Sequence, residues 1–333
     1  MRDHPPGPLL VTGATGFIGG HLALRLLRAG HAPRLLVRDP RRLHPELREH
    51  AQPMRGDLAD AASLRDAVRG ARAVLHCAAN VATWGAWPDY RAANVDGVRA
   101  LAQAMLREAP GARLVHLSSV DVYGFPRAPA KETHPADGGA FGYGRSKALG
   151  EAVLREHARE LDAVVLRPCN VVGPRSPFVQ RIGDELRGGL MLKVDGGRAD
   201  FGYLDVDNLI DVMLWAADAP QAAGRTYNVR DPVAVSWAAF VDELRRGIGG
   251  RGLLLNLPFA LADVAAAALE TPHRLLRLRR EPLLHRLLVR IFGRTCGHDI
   301  DALRAAGAPL GRVGHAESMR RAIAWYRDEV ASR

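Results

Sequence analysis

A glycine-rich turn near the N-terminus limits the folds open to this chain more than any other feature. The apolar run Leu9-Leu10-Val11 leads directly into Thr12-Gly13-Ala14-Thr15-Gly16-Phe17-Ile18-Gly19, and an amphipathic helix follows. A strand, a glycine turn and a helix in this order place backbone N–H groups where they can bind a pyrophosphate. Gly13 would permit the tight turn, Gly16 the close approach of the pyrophosphate, and Gly19 the close packing of helix on strand. We therefore predict a dinucleotide-binding loop formed by Gly13, Thr15, Gly16, Phe17, Ile18 and Gly19.

Apolar strand-like runs alternate with helical segments over the first half of the chain. The runs at 34–37, 74–79, 114–117 and 164–166 are separated by helical stretches. This alternation predicts an α/β fold with a doubly wound parallel sheet, in which ligands bind beyond the carboxyl ends of the strands. We expect residues 1–175, with about 200–230, to form a Rossmann domain that binds NAD(P). Residues 176–199 and 231–333 should then form a smaller, mostly helical part that binds substrate.

The end of the second predicted strand bears on the choice of cofactor. Arg38 lies 19 residues beyond Gly19, where the residue that faces the adenosine ribose is expected. An arginine there, with Arg41 and Arg42 behind it, favours the 2′-phosphate of NADP(H). Asp39 is adjacent and would favour NAD(H) if it turned inward. NADP(H) is the preferred prediction, and NAD(H) stays open.

Further cofactor contacts are expected at the ends of other strands. Asp57 and Leu58 are suited to the adenine edge, although Asp57 could equally be the N-cap of a helix beginning at Ala61. The 74–79 run closes on small residues, including Ala78, which leaves room for a cofactor, and Pro168 ends the 164–166 run in the same way. We interpret His76 as a packed, hydrogen-bonded residue and not as a catalyst.

A tyrosine and a lysine four residues apart form the candidate catalytic pair. On a helix, Tyr143 and Lys147 would share one face. The chain has 6 tyrosines and has lysine only at Lys131, Lys147 and Lys193, so about 0.05 matches to this spacing are expected by chance. A neighbouring ammonium stabilises a phenolate, so we expect Lys147 to lower the pKa of Tyr143 from its ordinary value near 10. Such a tyrosine can exchange a proton with a carbonyl group.

Composition and charge exclude several classes of function. The formal charge is +10, but the arginines are spread through the chain and do not alternate with aromatic residues, so we predict no nucleic-acid partner. Cys77, Cys169 and Cys296 are widely spaced and odd in number, and they provide neither a disulfide framework nor metal-ligand spacing. Residues 1–8 lack the apolar run of a signal peptide, and no run reaches the ~18 apolar residues that span a bilayer. We expect a cytoplasmic protein without a metal site.

One segment near the C-terminus is both leucine-rich and basic. Residues 274–294 alternate leucine and arginine, with Glu281 as the single acid. Three interpretations remain open: the segment lines an apolar pocket, it lies on the anionic inner surface of a membrane, or it is an ordinary amphipathic helix.

Taken together, these motifs resemble the extended short-chain dehydrogenase/reductase superfamily. The superfamily's catalytic serine precedes a Tyr-Gly pair by four residues, which matches Ser119, and its asparagine before a helix matches Asn94. Its Tyr-x-x-x-Lys matches Tyr143 and Lys147, and its Arg-Pro-x-x-Val-x-Gly-Pro matches residues 167–174. The resemblance implies that Ser119 holds the substrate oxygen and that Lys147 also binds the cofactor, at the nicotinamide ribose. It further implies that Asn94 holds a water linking Lys147 to solvent. Homodimers are frequent in this superfamily, and a homodimer is an alternative to a monomer here.

Two branches of the superfamily compete for the substrate. The 3β-hydroxysteroid dehydrogenase branch is resembled at Trp84-Gly85, 89–97, 257–259 and 322–327. It implies hydride transfer to or from a lipophilic substrate that is steroid-like or a long-chain β-hydroxy or β-keto compound. The nucleotide-sugar epimerase/dehydratase branch, which retains its NAD, is supported by Asn170 and by residues 205–208. A third alternative, a non-catalytic cofactor-binding subunit, is less consistent with a chain that has both Tyr143 and Lys147.

Overall fold

A parallel sheet of seven strands forms the centre of the molecule. The computed structural model describes residues 7–126, 128–294 and 297–332; Cys296 lies outside them. The strands are β1 (Leu9–Thr12), β2 (Arg34–Val37), β3 (Gln52–Arg55), β4 (Ala73–His76), β5 (Arg113–Leu117), β6 (Asp162–Pro168), β7 (Asn170–Val172), β8 (Leu190–Val194), β9 (Tyr203–Asp205), β10 (Thr226–Val229) and β11 (Leu253–Leu257). The large sheet has the order β10-β6-β5-β4-β1-β2-β3, with every neighbouring pair parallel. This order confirms the predicted doubly wound fold.

Helices cover both faces of the sheet. They are α1 (Phe17–Arg28), α2 (Pro45–His50), α3 (Ala61–Val68), α4 (Trp87–Arg91), α5 (Gly97–Glu108), α6 (Gly142–Glu156), α7 (Pro177–Gly188), α8 (Val206–Asp218), α9 (Trp237–Ile248), α10 (Phe259–Leu275), α11 (Arg286–Gly293), α12 (Asp301–Ala305) and α13 (His315–Trp325). Because successive strand residues point to opposite faces, Leu9 and Val11 pack in the cluster with α1 and α8, while Leu10 packs with α3, α5 and α6. Burial of both faces explains why these strands are continuously apolar.

A separate apolar cluster lies in the C-terminal half. It joins α7, α9, α10, α11 and α13 with β8, and its aromatic centre contains Phe201, Trp237 and Phe240. Two smaller parallel pairs, β8 with β11 and β7 with β9, accompany it. The helical character predicted for this half is therefore confirmed.

The basic leucine-rich segment is not one helix, and the interpretation as an amphipathic helix holds only for its last part, α11. Helix α10 ends at Leu275 and α11 begins at Arg286; residues 276–285 form what we call the connecting segment. Arg277 adopts a left-handed conformation with φ of 51°. The amide N–H of Leu278 donates to the His273 carbonyl at 2.8 Å, and that of Arg277 to the Arg274 carbonyl at 3.2 Å. These two bonds close the helix end in a Schellman motif, which turns the chain away from the helix axis.

Candidate active site

A cavity of about 530 Å³ lies beyond the carboxyl ends of the central strands. Phe17 and Ile18 of the glycine loop contribute to its wall, as do Ser119, Tyr143 and Lys147. The structure thus brings together the loop predicted to bind the cofactor and three of the four residues predicted to act in catalysis. Pro168, at the end of β6, lines the same cavity. The site therefore occupies the position at which open parallel sheets bind their ligands.

The glycine loop has the close backbone contacts that its sequence predicted. Gly13 has φ of 74°, and a Cβ there would lie 2.7 Å from the Ala78 nitrogen. A Cβ at Gly19 would collide with the Gly13 carbonyl oxygen. Gly16 is exposed and directly precedes α1, while Thr15 beside it is half-buried. The helix N-terminus is thus open to an anionic group, a fit that the backbone N–H groups and the helix dipole both favour.

Ser119 and Tyr143 line the same cavity. Ser119 follows β5, and Tyr143 lies in the first turn of α6. Burial raises the pKa of Tyr143 above its ordinary value, the Asp121 carboxylate raises it further, and the Ser119 hydroxyl group lowers it. The phenol is therefore protonated at neutral pH.

Lys147 is buried one turn beyond Tyr143 and does not act on it as expected. Its ammonium group donates to the Leu117 carbonyl oxygen at 2.6 Å, and burial lowers the pKa of Lys147 to about 8. Cys77 and Glu151 oppose that shift. The prediction of a lowered Tyr143 pKa was wrong for this structure because desolvation of the phenolate and the nearby carboxylate dominate.

Asn94 lies behind the cavity, in a π-helical turn over Ala92–Asp96 that precedes α5. Its side chain accepts from the Asn80 amide N–H at 2.8 Å and donates to the Asn80 carbonyl at 2.8 Å. The same amide group donates to Ser146 Oγ at 2.8 Å. Asn94 therefore joins the loop after β4 to the helix that carries Tyr143 and Lys147. A role in holding a water stays a prediction.

The adenine-side candidates lie at the edge of the sheet. Arg38 is largely exposed, and its guanidinium lies 3.9 Å from the Asp57 carboxylate. Asp39 accepts from both the backbone and the guanidinium of Arg41, at 3.1 and 2.9 Å, so it is turned toward its own loop. Asp57 is not the cap of α3: Asp60 is, since its carboxylate accepts from the Ala62 amide at 3.0 Å.

Two further predicted cofactor contacts, Leu58 and Ala78, are held in place by neighbouring residues. Leu58 packs against the cluster of α3 and α5, and Ala78 donates its amide N–H to Thr12 Oγ1 at 3.2 Å. His76 is buried, bonds Thr12 Oγ1 through Nδ1 at 2.7 Å and stacks on His116. It does not line the cavity and is the packed histidine that we expected.

Comparison with known proteins agrees with this geometry. The sequence model of the NAD-dependent epimerase/dehydratase family matches residues 9–229. This chain belongs to that family. A 2-alkyl-3-oxoalkanoate reductase of Stenotrophomonas maltophilia (strain K279a) is 30% identical over 331 residues, which cover 94% of this chain and 97% of the relative.

A second relative and a solved structure extend the comparison to nearly the whole chain. A 4-hydroxy-2-methyl-3-oxo-4-farnesyl-3,4-dihydroquinoline-1-oxide ketoreductase of Stigmatella aurantiaca is 30% identical over 315 residues, with 93% of each chain covered. The structure of MoeE5 in complex with UDP-glucose and NAD is 25% identical, with a TM-score of 0.76 and coverage of 96% of this chain and 99% of that one. This family member is an NAD(P)-dependent oxidoreductase of the extended short-chain type.

Asp121 is a site residue that sequence reasoning missed. Its carboxylate accepts from Ser119 Oγ at 2.9 Å, its backbone N–H donates to the same oxygen at 3.1 Å, and it lines the cavity beside Tyr143. Burial raises the pKa of Asp121. The available signal was an acid two residues after the candidate serine, in the short helical turn Val120–Tyr123.

A buried polar network in this family member supports the site from behind. Glu151 of α6 accepts from Ser118 Oγ at 2.6 Å and forms a bidentate ion pair with Arg167 at the end of β6. Arg167 also donates to the Tyr123 hydroxyl at 2.6 Å, and that hydroxyl donates to Asn228 of β10 at 2.7 Å. Because every member has a partner, the network fixes α6 against β6 and the segment that follows β5, and links this arrangement to β10. The arginine of the Arg-Pro motif, Arg167, therefore has a structural role in this network.

The opposite wall of the cavity comes from the C-terminal half. Its apolar members are Phe178, Phe201, Leu287, Leu288, Ile291 and Phe292. Four of these side chains lie on α11, so the interpretation that residues 274–294 line an apolar pocket holds for this part of the segment. No local sequence pattern predicts that Phe178 and Phe201 line the same cavity as Tyr143.

Proposed function

We propose that this oxidoreductase transfers a hydride between NADP(H) and a carbonyl or secondary alcohol on a lipophilic substrate. The substrate class is a steroid-like or long-chain β-hydroxy or β-keto compound. The observation that supports it is the apolar wall of α11 and its aromatic neighbours, which faces the Ser119 and Tyr143 hydroxyl groups across one cavity. Such pockets bind apolar ligands and orient them with a few polar groups.

The polar side of the cavity suits the proton transfer that accompanies reduction. When bound, the nicotinamide supplies or accepts the hydride. Tyr143, whose raised pKa keeps it protonated, donates its proton to the carbonyl oxygen, and Ser119 donates a hydrogen bond to that oxygen as negative charge develops. Lys147, held by the Leu117 carbonyl, and Asn94, held by Asn80, keep the helix of Tyr143 in register with the site.

The names of the relatives support the substrate class. Both the oxoalkanoate reductase and the farnesyl-dihydroquinoline ketoreductase act, by name, on carbonyl compounds with alkyl or farnesyl groups. The domain assignment is part of the same proposal. Residues 1–175, with about 200–230, would bind the cofactor, and residues 176–199 and 231–333 would bind the substrate.

A preference for NADP(H) is supported by the end of β2. Arg38 is exposed at the position of the ribose contact, with Arg42 nearby, while Asp39 is occupied by Arg41. An exposed guanidinium can pair with a 2′-phosphate, whereas an Asp39 held in its own loop is not available to the ribose hydroxyls.

The alternative is a nucleotide-sugar epimerase or dehydratase with retained NAD. The solved structure with UDP-glucose and NAD favours it. Against it, the Asn170 side chain, which lines the cavity, already donates to the Phe201 carbonyl at 2.5 Å. A homodimer, a cytoplasmic location and a contact of residues 274–294 with a membrane stay predictions.

A spectrophotometric screen tests the proposal. Purified protein is assayed with NADPH and with NADH against keto-steroids, long-chain β-keto compounds and nucleotide sugars. We expect turnover of a lipophilic ketone and a higher kcat/KM with NADPH. Equal or better turnover of a nucleotide sugar, together with nicotinamide absorbance retained through purification, would establish the alternative instead.

A further inference from the structure

One face of α10 is apolar and open to solvent. Its stripe has the spacing i, i+3, i+7, i+11, i+14, which places the side chains on one side of a helix. The members are Leu261, Val264, Ala268, Pro272 and Leu275. The three largest of them are 60%, 68% and 77% exposed. Such a stripe normally packs against a core, and here its large side chains are mostly exposed to solvent.

The connecting segment exposes further leucines. Leu276, Leu278 and Leu283 are 69%, 43% and 83% exposed. We call the stripe and these three leucines the outer apolar face. Single exposed leucines are ordinary, but several large exposed apolar side chains on one helix and on the segment that follows it point to a binding surface.

Cationic side chains accompany the face and have no acidic partner within it. Arg277, Arg279 and Arg280 are exposed and form no ion pair with any described residue. Glu281, the single acid of this stretch, does not neutralise them. It accepts from Arg181 at 3.1 Å and pairs with His285 at 2.8 Å, both on the cavity side. The connecting segment therefore adds three exposed arginines to the leucines of the outer apolar face.

The connecting segment also borders the cavity. Trp84 donates from its indole nitrogen to the Leu278 carbonyl at 3.3 Å, and Thr83 donates to Glu281 at 2.9 Å. Thr83, Trp84 and Glu281 all line the cavity that contains Tyr143. The same short stretch of chain is thus in contact with the cavity on one side and presents Leu276 and Leu283 to solvent on the other.

We propose that the outer apolar face lies on an anionic lipid bilayer, and that the lipophilic substrate passes from the bilayer into the cavity beside Trp84. The second clause rests on the proposed function. Exposed leucines insert at the boundary of headgroups and acyl chains, and the arginines pair with anionic headgroups. In the part of the chain that the structure describes, no helix is long and apolar enough to cross a membrane, so the contact is peripheral.

Charge argues for lipid over a second copy of the chain as the occupant. Two such faces brought together would place their arginine rims close to each other, and like charges in a partly desolvated interface repel. An anionic surface has the opposite sign and gains from every arginine.

Co-sedimentation with vesicles tests the proposal. The full-length protein is incubated with phosphatidylcholine vesicles, with and without 30% phosphatidylglycerol, at low and at high salt. We expect binding to the anionic vesicles that weakens with salt. The triple variant Arg277→Gln, Arg279→Gln, Arg280→Gln should bind roughly a hundredfold more weakly, since each surface arginine contributes about fivefold. The double variant Leu276→Gln, Leu283→Gln should also lose binding.

Matched controls separate the face from general charge and hydrophobicity. Arg48→Gln, Arg107→Gln, Arg155→Gln removes three exposed arginines from α2, α5 and α6, and Leu149→Gln removes an exposed leucine from α6. Both should bind vesicles like the wild type. Equal binding by all variants, or a dimer in analytical ultracentrifugation that the double leucine variant converts to monomer, overturns the proposal.

Turnover of a short, water-soluble β-keto substrate is measured for every variant without vesicles. If the wild-type protein reduces that substrate but does not bind vesicles, the membrane proposal is contradicted and the proposed function is unaffected. Vesicle binding without any ketone reduction would support the membrane contact and contradict the proposed function.

Discussion

At the scale of single residues, Tyr143 is a phenol that burial and a neighbouring carboxylate keep protonated. A protonated phenol beside Ser119 is the form that donates a proton to a carbonyl oxygen during reduction. A phenylalanine at position 143 would have no hydroxyl group and could not donate this proton.

Tyr143→Phe should lower kcat for ketone reduction by about a hundredfold or more, because general acid catalysis of this kind contributes 10²–10⁴. The measurement is NADPH oxidation at saturating substrate. Cofactor affinity, followed by quenching of tryptophan fluorescence, should change little. A variant that keeps more than a few per cent of the turnover would contradict the assignment.

The pH dependence of reduction should contain a step due to Asp121. While ionised, Asp121 accepts the Ser119 hydroxyl proton, and that proton cannot reach the substrate oxygen. Protonated Asp121 can instead donate to Ser119 and release it. Because burial raises the pKa of Asp121, kcat should fall as pH rises through this raised value.

Asp121→Asn should remove this step, since the amide can donate to Ser119 at every pH. The measurement is a profile of kcat between pH 4 and 9 for both proteins, with circular dichroism as the control for folding. Tyr143 and Lys147 titrate above neutrality and would shape only the alkaline limb. Identical acid limbs in the two profiles would count against a positioning role for Asp121.

At the scale of elements, the connecting segment is held to the rest of the molecule by Glu281. Its hydrogen bond with His285 lowers the pKa of Glu281 to about 2, burial opposes this shift, and Arg181 and Thr83 assist it. The carboxylate joins the loop after β4 to α7 and α11. The basic leucine-rich pattern alone could not reveal this anchor, because its partners are distant in sequence.

Glu281→Gln should loosen residues 276–285 and increase their hydrogen–deuterium exchange, while exchange in β1 and β4 stays unchanged. The sign of the pH effect follows from the lowered pKa. The stabilising contribution is complete above the unfolded value near 4.5 and is lost as pH falls toward 2. Wild-type exchange at 276–285 should therefore rise only in strong acid, and an equal rise between pH 7 and 5 would contradict this anchor.

At the scale of the whole molecule, the cavity is formed where the Rossmann sheet meets the C-terminal helical cluster. The proposed catalytic groups come from the end of β5 and from α6, and the apolar wall comes mainly from α11. Chemistry and substrate preference should therefore be separable by mutation.

Phe292→Ala should lower kcat/KM for a long-chain ketone about tenfold or more, since a buried aromatic side chain contributes at least 1.5 kcal/mol of apolar contact. A short-chain ketone should be reduced nearly as well as by the wild type. The ratio of the two kcat/KM values is the measurement. Parallel losses for both substrates would mean that Phe292 supports folding and not specificity.

By itself, the sequence determined the features that depend on spacing along the chain. Gly13 and Gly19 follow β1 closely in sequence. Because they lack a Cβ, their spacing predicted both the tight turn after β1 and the close packing of the next helix on it. Tyr143 and Lys147 share a helix face because a helix brings residues four apart together, and the alternation of strands and helices predicted the parallel sheet. Each of these inferences uses only short-range geometry, which the chain carries wherever it folds.

The tertiary structure alone decided the features that depend on contacts between distant segments. The raised pKa of Tyr143 follows from its burial and from Asp121, whereas the helical spacing with Lys147 predicted a lowered pKa. Asp60 and not Asp57 caps α3, and residues 274–294 divide into α11 at the cavity and leucines open to solvent. Desolvation and charge depend on what surrounds a group in space, and no pattern within one segment records which distant residues those will be.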